Sequence, residues 1–154
     1  MRIAYIIPSL SRMAPNRVVQ QLVEGMMARG HECHVFYFDP VTTDAIAFPC
    51  RATRISLLRA TDLTGYDVVH THGLRPNLYV WIHGVPRGVR AVATIHSYVF
   101  EEFRFIYGRV LGWIFGHLFV RTLSRHDRVV TLSRDAVDHY AHWIRPSRLT
   151  YCYN

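Results

Sequence analysis

The sequence predicts an α/β fold built on a doubly wound parallel sheet of about six or seven strands. Short apolar segments recur along the 154 residues and alternate with stretches of helical apolar spacing. Such alternation is typical of a parallel sheet with helices on both faces. The first segment, 3–7, is an unbroken apolar run, which indicates a strand buried on both faces. The length fits one Rossmann-like domain over residues 1–154.

Residues 2–39 predict the first strand, crossover helix and second strand. The strand at 3–7 leads through a polar loop to a helix that begins near Pro15, where proline lacks only an N–H that needs no partner. Gly30 suits the left-handed position after that helix, and the second strand follows at 35–38. The apolar stripe of the helix comprises Val18, Val19, Leu22, Val23, Met26 and Met27.

The remaining elements follow the same alternation. Ser133 is expected to cap the last helix, with Asp135 in its first turn. We expect further strands at 53–57, 66–70, 90–96, 128–132 and 149–153, and helices at 77–83, 101–125 and 134–142.

All 18 basic residues are arginine, and the formal net charge is +7. Arginine binds phosphate well, so the charge suits an anionic lipid, a nucleotide sugar or a nucleic acid. The absence of lysine favours the alternative, a bias of composition with no dedicated arginine function. The arginines are dispersed along the chain, which disfavours a nucleic-acid partner. No P-loop lysine and no Gly-x-Gly-x-x-Gly motif are present, so the two common nucleotide-binding loops are not expected.

The three cysteines, Cys33, Cys50 and Cys152, are widely spaced and odd in number. They are expected to be buried free thiols in a reducing compartment. The first residues lead directly into a strand and carry no signal-peptide pattern. We therefore expect a cytoplasmic location.

Histidines stand at the ends of two predicted strands. His70 and His72 point to the same side of an extended segment, and His96 ends the next strand, so they are expected to face one cleft. Imidazoles there suit hydrogen bonds to a polar ligand and acid–base chemistry. The alternative is that they are satisfied polar residues packed under a loop. A metal is not expected, because further ligands and their supporting partners are not evident.

Five segments in register resemble the group 1 glycosyltransferases of GT-B fold. The opening unit ends in Gly-His-Glu-Cys-His-Val at 30–35, where that family has Gly-His-Glu-Val followed by apolar residues. The other four segments match later landmarks of the family in order and spacing. They are Asp-Val-Val-His-Thr-His at 67–72, Thr-Ile-His-Ser at 94–97, Asp-Arg-Val-Val-Thr-Leu-Ser at 127–133 and Tyr-Asn at 153–154.

The resemblance implies a two-domain enzyme that transfers a sugar from a nucleotide-diphosphate sugar with retention of the anomeric configuration. It implies no obligatory metal or cofactor. It implies that this chain is the N-terminal, acceptor-side domain. His96 would lie near the transferred sugar as the catalytic residue, with His70, His72 and Ser97 binding the acceptor. The loop at Ala14, Pro15, Asn16 and Arg17 would face the donor diphosphate, where a helix N-terminus favours phosphate.

Two departures from the family pattern affect these expectations. Met-Ala-Pro-Asn at 13–16 replaces a glycine pair that lets backbone approach phosphate. The sequence also stops at Asn154, where the family continues into the donor-binding domain, so that domain is expected as a partner in cis or in trans. The chain alone would then be inactive. The alternative function is a non-catalytic α/β module that binds a ligand or a partner.

The predicted helix at 101–125 is unusually aromatic and also carries arginines. Charges and glycines interrupt it, so a membrane span is not expected. An apolar face rimmed by arginine suits peripheral contact with the inner face of a membrane, which the resemblance also implies through lipid-linked acceptors. The alternative is an ordinary helix packed on the sheet and partly covered by the donor domain.

Overall fold

Seven parallel strands form one sheet in the computed structural model, which describes residues 1–41 and 43–153. Their order is β3-β2-β1-β4-β5-β6-β7. The predicted fold class is therefore confirmed; Asn154 of the last landmark lies outside the described residues. The strands are β1 (Arg2–Ile7), β2 (Glu32–Tyr37), β3 (Arg51–Arg54), β4 (Val68–His72), β5 (Arg90–Thr94), β6 (Arg128–Thr131) and β7 (Leu149–Tyr151).

Four α-helices and two short 3₁₀ turns, 123–125 and 146–148, connect the strands. Ser133 caps the last helix as expected, because its side chain accepts a hydrogen bond from the Ala136 N–H at 3.1 Å. The second helix begins three residues before the predicted position, directly after Gly73, whose φ is 98°. The helices are α1 (Ala14–Ala28), α2 (Leu74–His83), α3 (Val99–Thr122) and α4 (Arg134–Tyr140).

Both faces of the central strand β1 are buried, as its apolar run predicts. Ile3, Tyr5 and Ile7 pack on one face with Val19 and Val23 of α1. Ala4 and Ile6 belong to the opposite core cluster, which includes Tyr79 and Val80 of α2. The alternation of side chains along a strand sends successive residues to opposite layers. The helices therefore cover both faces of the sheet.

The switch in strand order lies between β1 and β4. Ile3 of β1 pairs with Cys33 of β2 on one side and with Val68 of β4 on the other. The chain runs outward through β2 and β3, then returns to the centre as β4. Loops leaving neighbouring strands in opposite directions open a crevice beyond their carboxyl ends. This crevice is where a ligand site is expected.

Helix α3 is not the single straight helix that the sequence predicts. Gly108 has φ 79° and ψ −179°, and the chain folds back there into two antiparallel arms, 99–107 and 109–122. A Cβ on Gly112 would lie 2.5 Å from the Cα of Arg104, eight residues earlier, which a straight helix does not allow. The residue pattern has helical spacing in both arms, so periodicity alone did not reveal the reversal.

The cysteines follow the expectation only in part. Cys33 and Cys50 are partly buried free thiols, whereas Cys152 is exposed, because it follows the short edge strand β7. Among residues 1–41 and 43–153, no helix has the length and apolar character needed to cross a bilayer.

Candidate active site

A cavity of about 470 Å³ lies beyond the carboxyl ends of β1, β4 and β5. The loop after β1 and the first residues of α1 form one wall, and the start of α3 forms another. The start of α1 and the strand-end histidines His72 and His96 therefore line one cavity. The lining side chains include Pro8, Met13, Ala14, Pro15, Asn16, His72, Thr94, His96, Ser97, Glu102, Phe103 and Phe119.

His72 and His96 form a direct pair on this wall. The Nδ1 atom of His72 lies 2.9 Å from the Nε2 atom of His96, so one of the two nitrogens donates to the other. His72 is only 1% exposed, and its Nε2 atom has no partner among the described residues. The Nδ1 atom of His96 makes no hydrogen bond within the described chain. His96 therefore keeps one ring nitrogen for a ligand.

His70 lies behind this pair. Its ring centroid is 4.3 Å from that of His72, and its Nε2 atom lies 2.8 Å from the Thr94 hydroxyl. Tyr5 packs against both rings. His70 does not line the cavity, although it points to the same side of β4 as His72, as predicted. His70 can therefore affect a ligand in the cavity only through the His72 ring.

Burial keeps these imidazoles neutral. It lowers the pKa of His70 to about 3, with smaller contributions from His96 and His126. Burial also holds the pKa of His72 well below its ordinary value. Burial lowers the pKa of His96 too, and the nearby Glu102 carboxylate offsets part of that effect. The histidine wall is therefore uncharged near pH 7, and it can exchange hydrogen bonds without carrying charge.

Ser97 follows His96 and donates a hydrogen bond to the Glu102 carboxylate. Tyr140 of α4, which is fully buried, holds the turn that carries His96 and Ser97. Its hydroxyl accepts from the Val99 N–H at 2.9 Å and donates to the Ser97 carbonyl at 2.7 Å. A rigid anchor thus sets the orientation of the segment that presents His96.

The start of α1 reaches the cavity through Ala14, Pro15 and Asn16, but Arg17 is exposed and does not line it. Asn16 is 2% exposed and donates to the carbonyls of Ser9 and Ser11 at 2.9 and 2.8 Å. Its amide therefore holds the loop after β1 in place. The N–H groups of Asn16 and Arg17 both bond to the Met13 carbonyl, which leaves few free donors at this helix end.

Several lining residues were not foreseen from the sequence. Glu102 brings a carboxylate to the cavity, and Phe103 and Phe119 supply an apolar wall from the two arms of α3. Glu102 lies in the first turn of α3, shortly after the strand-end His96. That position could have indicated Glu102 as a residue of the site. The Phe119 contact depends on the reversal at Gly108, and the glycine itself was the one signal of that reversal.

The described residues offer no set of three or more His, Cys, Asp or Glu side chains arranged to hold a metal ion. Near the cavity, His72 and His96 bond to each other and His70 bonds to Thr94. The donor set suits hydrogen bonding to a neutral polar ligand.

The doubly wound sheet, with a cavity at its switch point, defines the class of this chain as a Rossmann-like α/β domain with a ligand site at the carboxyl ends of its strands. The chain belongs to Glycosyltransferase Family 4, whose family model matches residues 15–154. Two Escherichia coli proteins described as O-antigen biosynthesis glycosyltransferase WclY are each 33% identical over 156 residues. Each match covers 96% of this chain and 42% of the relative, so the chain spans less than half of those proteins.

Solved structures show the same fold. A sucrose-phosphate synthase from Thermosynechococcus elongatus superposes with a TM-score of 0.75 at 16% identity, over 99% of this chain and 48% of that one. An alpha-glucosyltransferase in complex with UDP-glucose and DNA containing an abasic site gives a TM-score of 0.65 at 16% identity, over 100% and 42%. At these identities the likeness concerns the fold alone.

Proposed function

We propose that this chain is the acceptor-side domain of a glycosyltransferase that moves a sugar from a nucleotide-diphosphate sugar to an acceptor hydroxyl. The observation that carries the proposal is the cavity that joins the start of α1, His96 and Ser97 at the switch point of the sheet. A donor-binding domain, in cis or in trans, would close this crevice and supply the nucleotide site. The chain by itself is then inactive.

In the assembled enzyme, the acceptor oxygen would form a bond to the anomeric carbon as the bond from that carbon to the diphosphate breaks, and the hydroxyl proton would pass to an oxygen of the leaving diphosphate. His96, neutral and with Nδ1 available, would hydrogen-bond the sugar, while His72 holds the His96 ring. Ser97 and Glu102 would bind acceptor hydroxyls. His70 would contribute through the ring of His72, and the start of α1 would favour the leaving diphosphate through its helix dipole. Catalysis would come mainly from positioning and charge stabilisation.

We also propose the finer features that the resemblance implies: transfer of a hexosyl-type sugar with retention, and no requirement for a metal or an added cofactor. The name of the curated relatives supports a role in O-antigen polysaccharide biosynthesis, and we propose a glycan or a lipid-linked acceptor. We propose a cytoplasmic location, with peripheral contact to the inner face of the membrane through residues 101–125.

The test is sugar transfer by the full-length enzyme that contains this chain. His96→Ala should lower kcat by about 100-fold, because an oriented contact to the reacting sugar is lost. His142→Ala is the matched control, since His142 is exposed and its ring bonds only to the His139 carbonyl. Equal turnover by His96→Ala and wild type would remove His96 from the site. Chelation with EDTA should leave the rate unchanged.

A further inference from the structure

The tip of the α3 hairpin exposes seven large apolar side chains within ten residues of sequence, 105–114. Single exposed apolar residues are ordinary, but a patch of this kind marks an interaction surface. We call it the tip patch. Its members and their exposed fractions are Phe105 93%, Val110 73%, Trp113 62%, Ile106 55%, Leu111 51%, Tyr107 49% and Ile114 46%.

The reversal at Gly108 produces this exposure. The arms can pack closely because Gly112 has no side chain, and a Cβ there would clash with the Arg104 backbone. At the base of the hairpin, Phe103 and Phe119 meet with centroids 6.1 Å apart, and both line the cavity. Beyond that base, large apolar side chains of both arms are exposed. No tip-patch residue lines the cavity, so the patch is a separate surface.

The charge around the patch is of one sign. Arg104 and Arg109 border a groove of about 510 Å³ whose other walls are Phe100, Val110 and Trp113. The sequence holds no Asp or Glu between Phe103 and His126. Guanidinium groups beside aromatic and aliphatic side chains match the boundary between phosphate headgroups and acyl chains.

We propose that the tip patch inserts into the interfacial layer of a membrane that contains anionic phospholipids, and that Arg104 and Arg109 bind their phosphate groups. This proposal names the residues and the lipid class of the membrane contact given under the proposed function. Its biological role rests on that function. The hairpin lies in the interface and does not span the bilayer, since each arm is far shorter than the roughly 20 residues that a span needs.

A second copy of the chain suits this surface less well than a membrane. A symmetric contact through the tip patch would bring Arg104 and Arg109 of both copies together. The carboxylates of the hairpin, Glu101 and Glu102, lie at its base, and none stands between 103 and 126 to pair with them at the tip. Like charges that face each other in an apolar interface are unfavourable. An anionic membrane surface supplies the missing negative charge.

The experiment measures binding of the full-length enzyme that contains this chain to vesicles by co-sedimentation. Phosphatidylcholine vesicles with phosphatidylglycerol are compared with phosphatidylcholine alone. The double variant Phe105→Ser/Trp113→Ser should lose at least about tenfold in partitioning, because two large apolar side chains no longer enter the interface. Arg104→Gln/Arg109→Gln should lose the preference for anionic vesicles. Leu58→Ser is the matched control, since Leu58 is 85% exposed outside the hairpin.

Circular dichroism checks that each variant is folded. Absence of wild-type binding to anionic vesicles, or equal binding by Phe105→Ser/Trp113→Ser, would overturn the proposal. Loss of self-association in that variant, without a change in vesicle binding, would assign the patch to a second copy and also overturn it. In the full-length enzyme, transfer to a water-soluble acceptor should survive the tip substitutions. The membrane inference and the proposed site can therefore fail independently.

Discussion

The Nδ1 atom of His72 lies 2.9 Å from the Nε2 atom of His96, and this contact couples the tautomers of the two rings. If His72 donates, His96 carries its proton on Nδ1 and presents a donor to the cavity. If His96 donates, its Nδ1 presents an acceptor. A buried ring thus sets the hydrogen-bonding role of the ring that faces the ligand.

The first prediction concerns His72 as a positioning residue. His72→Phe should lower kcat of the full-length enzyme by about tenfold, since one hydrogen bond of roughly 1 kcal/mol no longer orients His96. His72→Asn should recover much of the loss, because its side-chain amide can replace Nδ1. Steady-state kinetics with the acceptor varied would test this. If Phe and Asn variants were equally impaired, packing rather than the hydrogen bond would explain the effect.

The second prediction concerns acid stability. His126 is 2% exposed, and burial and Arg148 lower its pKa to about 4; the pKa of His70 is lowered to about 3. The unfolded chain, whose histidines titrate near 6.5, binds more protons than the folded chain below that pH. The free energy of unfolding should therefore fall as the pH falls below 6.5, by about 2 kcal/mol per buried histidine at pH 5.

Urea unfolding at pH 7.5 and pH 5 measures this slope. His126→Gln should make the pH dependence shallower, since Gln does not titrate and can still bond to the Thr71 hydroxyl, which lies 2.9 Å from the His126 Nε2 atom. His142→Gln, at an exposed position, should leave it unchanged. A stability that is constant between these pH values would show that the buried rings do not govern it.

The sequence predicted the sheet well because local patterns determine it. The apolar run 3–7 is short and buried on both faces, and the segment 128–132 is short and bounded by turn residues, so their identity as strands needs no tertiary information. The meeting of His72, His96 and the start of α1 was also predictable, since parallel strands place their carboxyl ends on one edge. Their contacts with the cavity confirm this arrangement.

What the sequence could not predict depends on contacts between distant residues. Asn16 was expected to face a diphosphate, yet its amide is used by two carbonyls of the preceding loop. The hairpin of α3 depends on one left-handed glycine, Gly108, and on the space that Gly112 leaves for the facing arm. Helical periodicity is the same in a straight helix and in two arms, so it cannot distinguish them.

The third prediction tests the packing of the hairpin. Gly112→Ala should lower the free energy of unfolding by about 1–3 kcal/mol, because its Cβ meets the Arg104 backbone, which cannot move aside cheaply. Gly25→Ala in α1 is the matched control. There the new Cβ meets only the flexible Arg29 side chain at 3.3 Å, and replacing a helical glycine should stabilise by up to about 1 kcal/mol. Chemical denaturation compares the two; a similar effect of both changes would argue against closely packed arms.

The fourth prediction separates an anchor of the site from an anchor of the fold. Tyr140 and Tyr79 are both fully buried, and each hydroxyl accepts from a backbone N–H, of Val99 at 2.9 Å and of Thr61 at 2.6 Å. Removing either hydroxyl leaves an unpaired backbone donor. Tyr140→Phe and Tyr79→Phe should each lower the free energy of unfolding by about 1–3 kcal/mol.

Only Tyr140 holds the turn that follows His96, because its hydroxyl also donates to the Ser97 carbonyl. Tyr79 instead bonds to the segment before β4, at Arg59 and Thr61, away from the cavity. In the full-length enzyme, measured well below the melting temperature, Tyr140→Phe should therefore lower kcat by about tenfold, as expected when an oriented group loses its support. Tyr79→Phe should retain the wild-type rate. Equal rates for the two variants would mean that the 97–99 turn keeps its geometry without the Tyr140 hydroxyl, and that His96 is oriented by His72 alone.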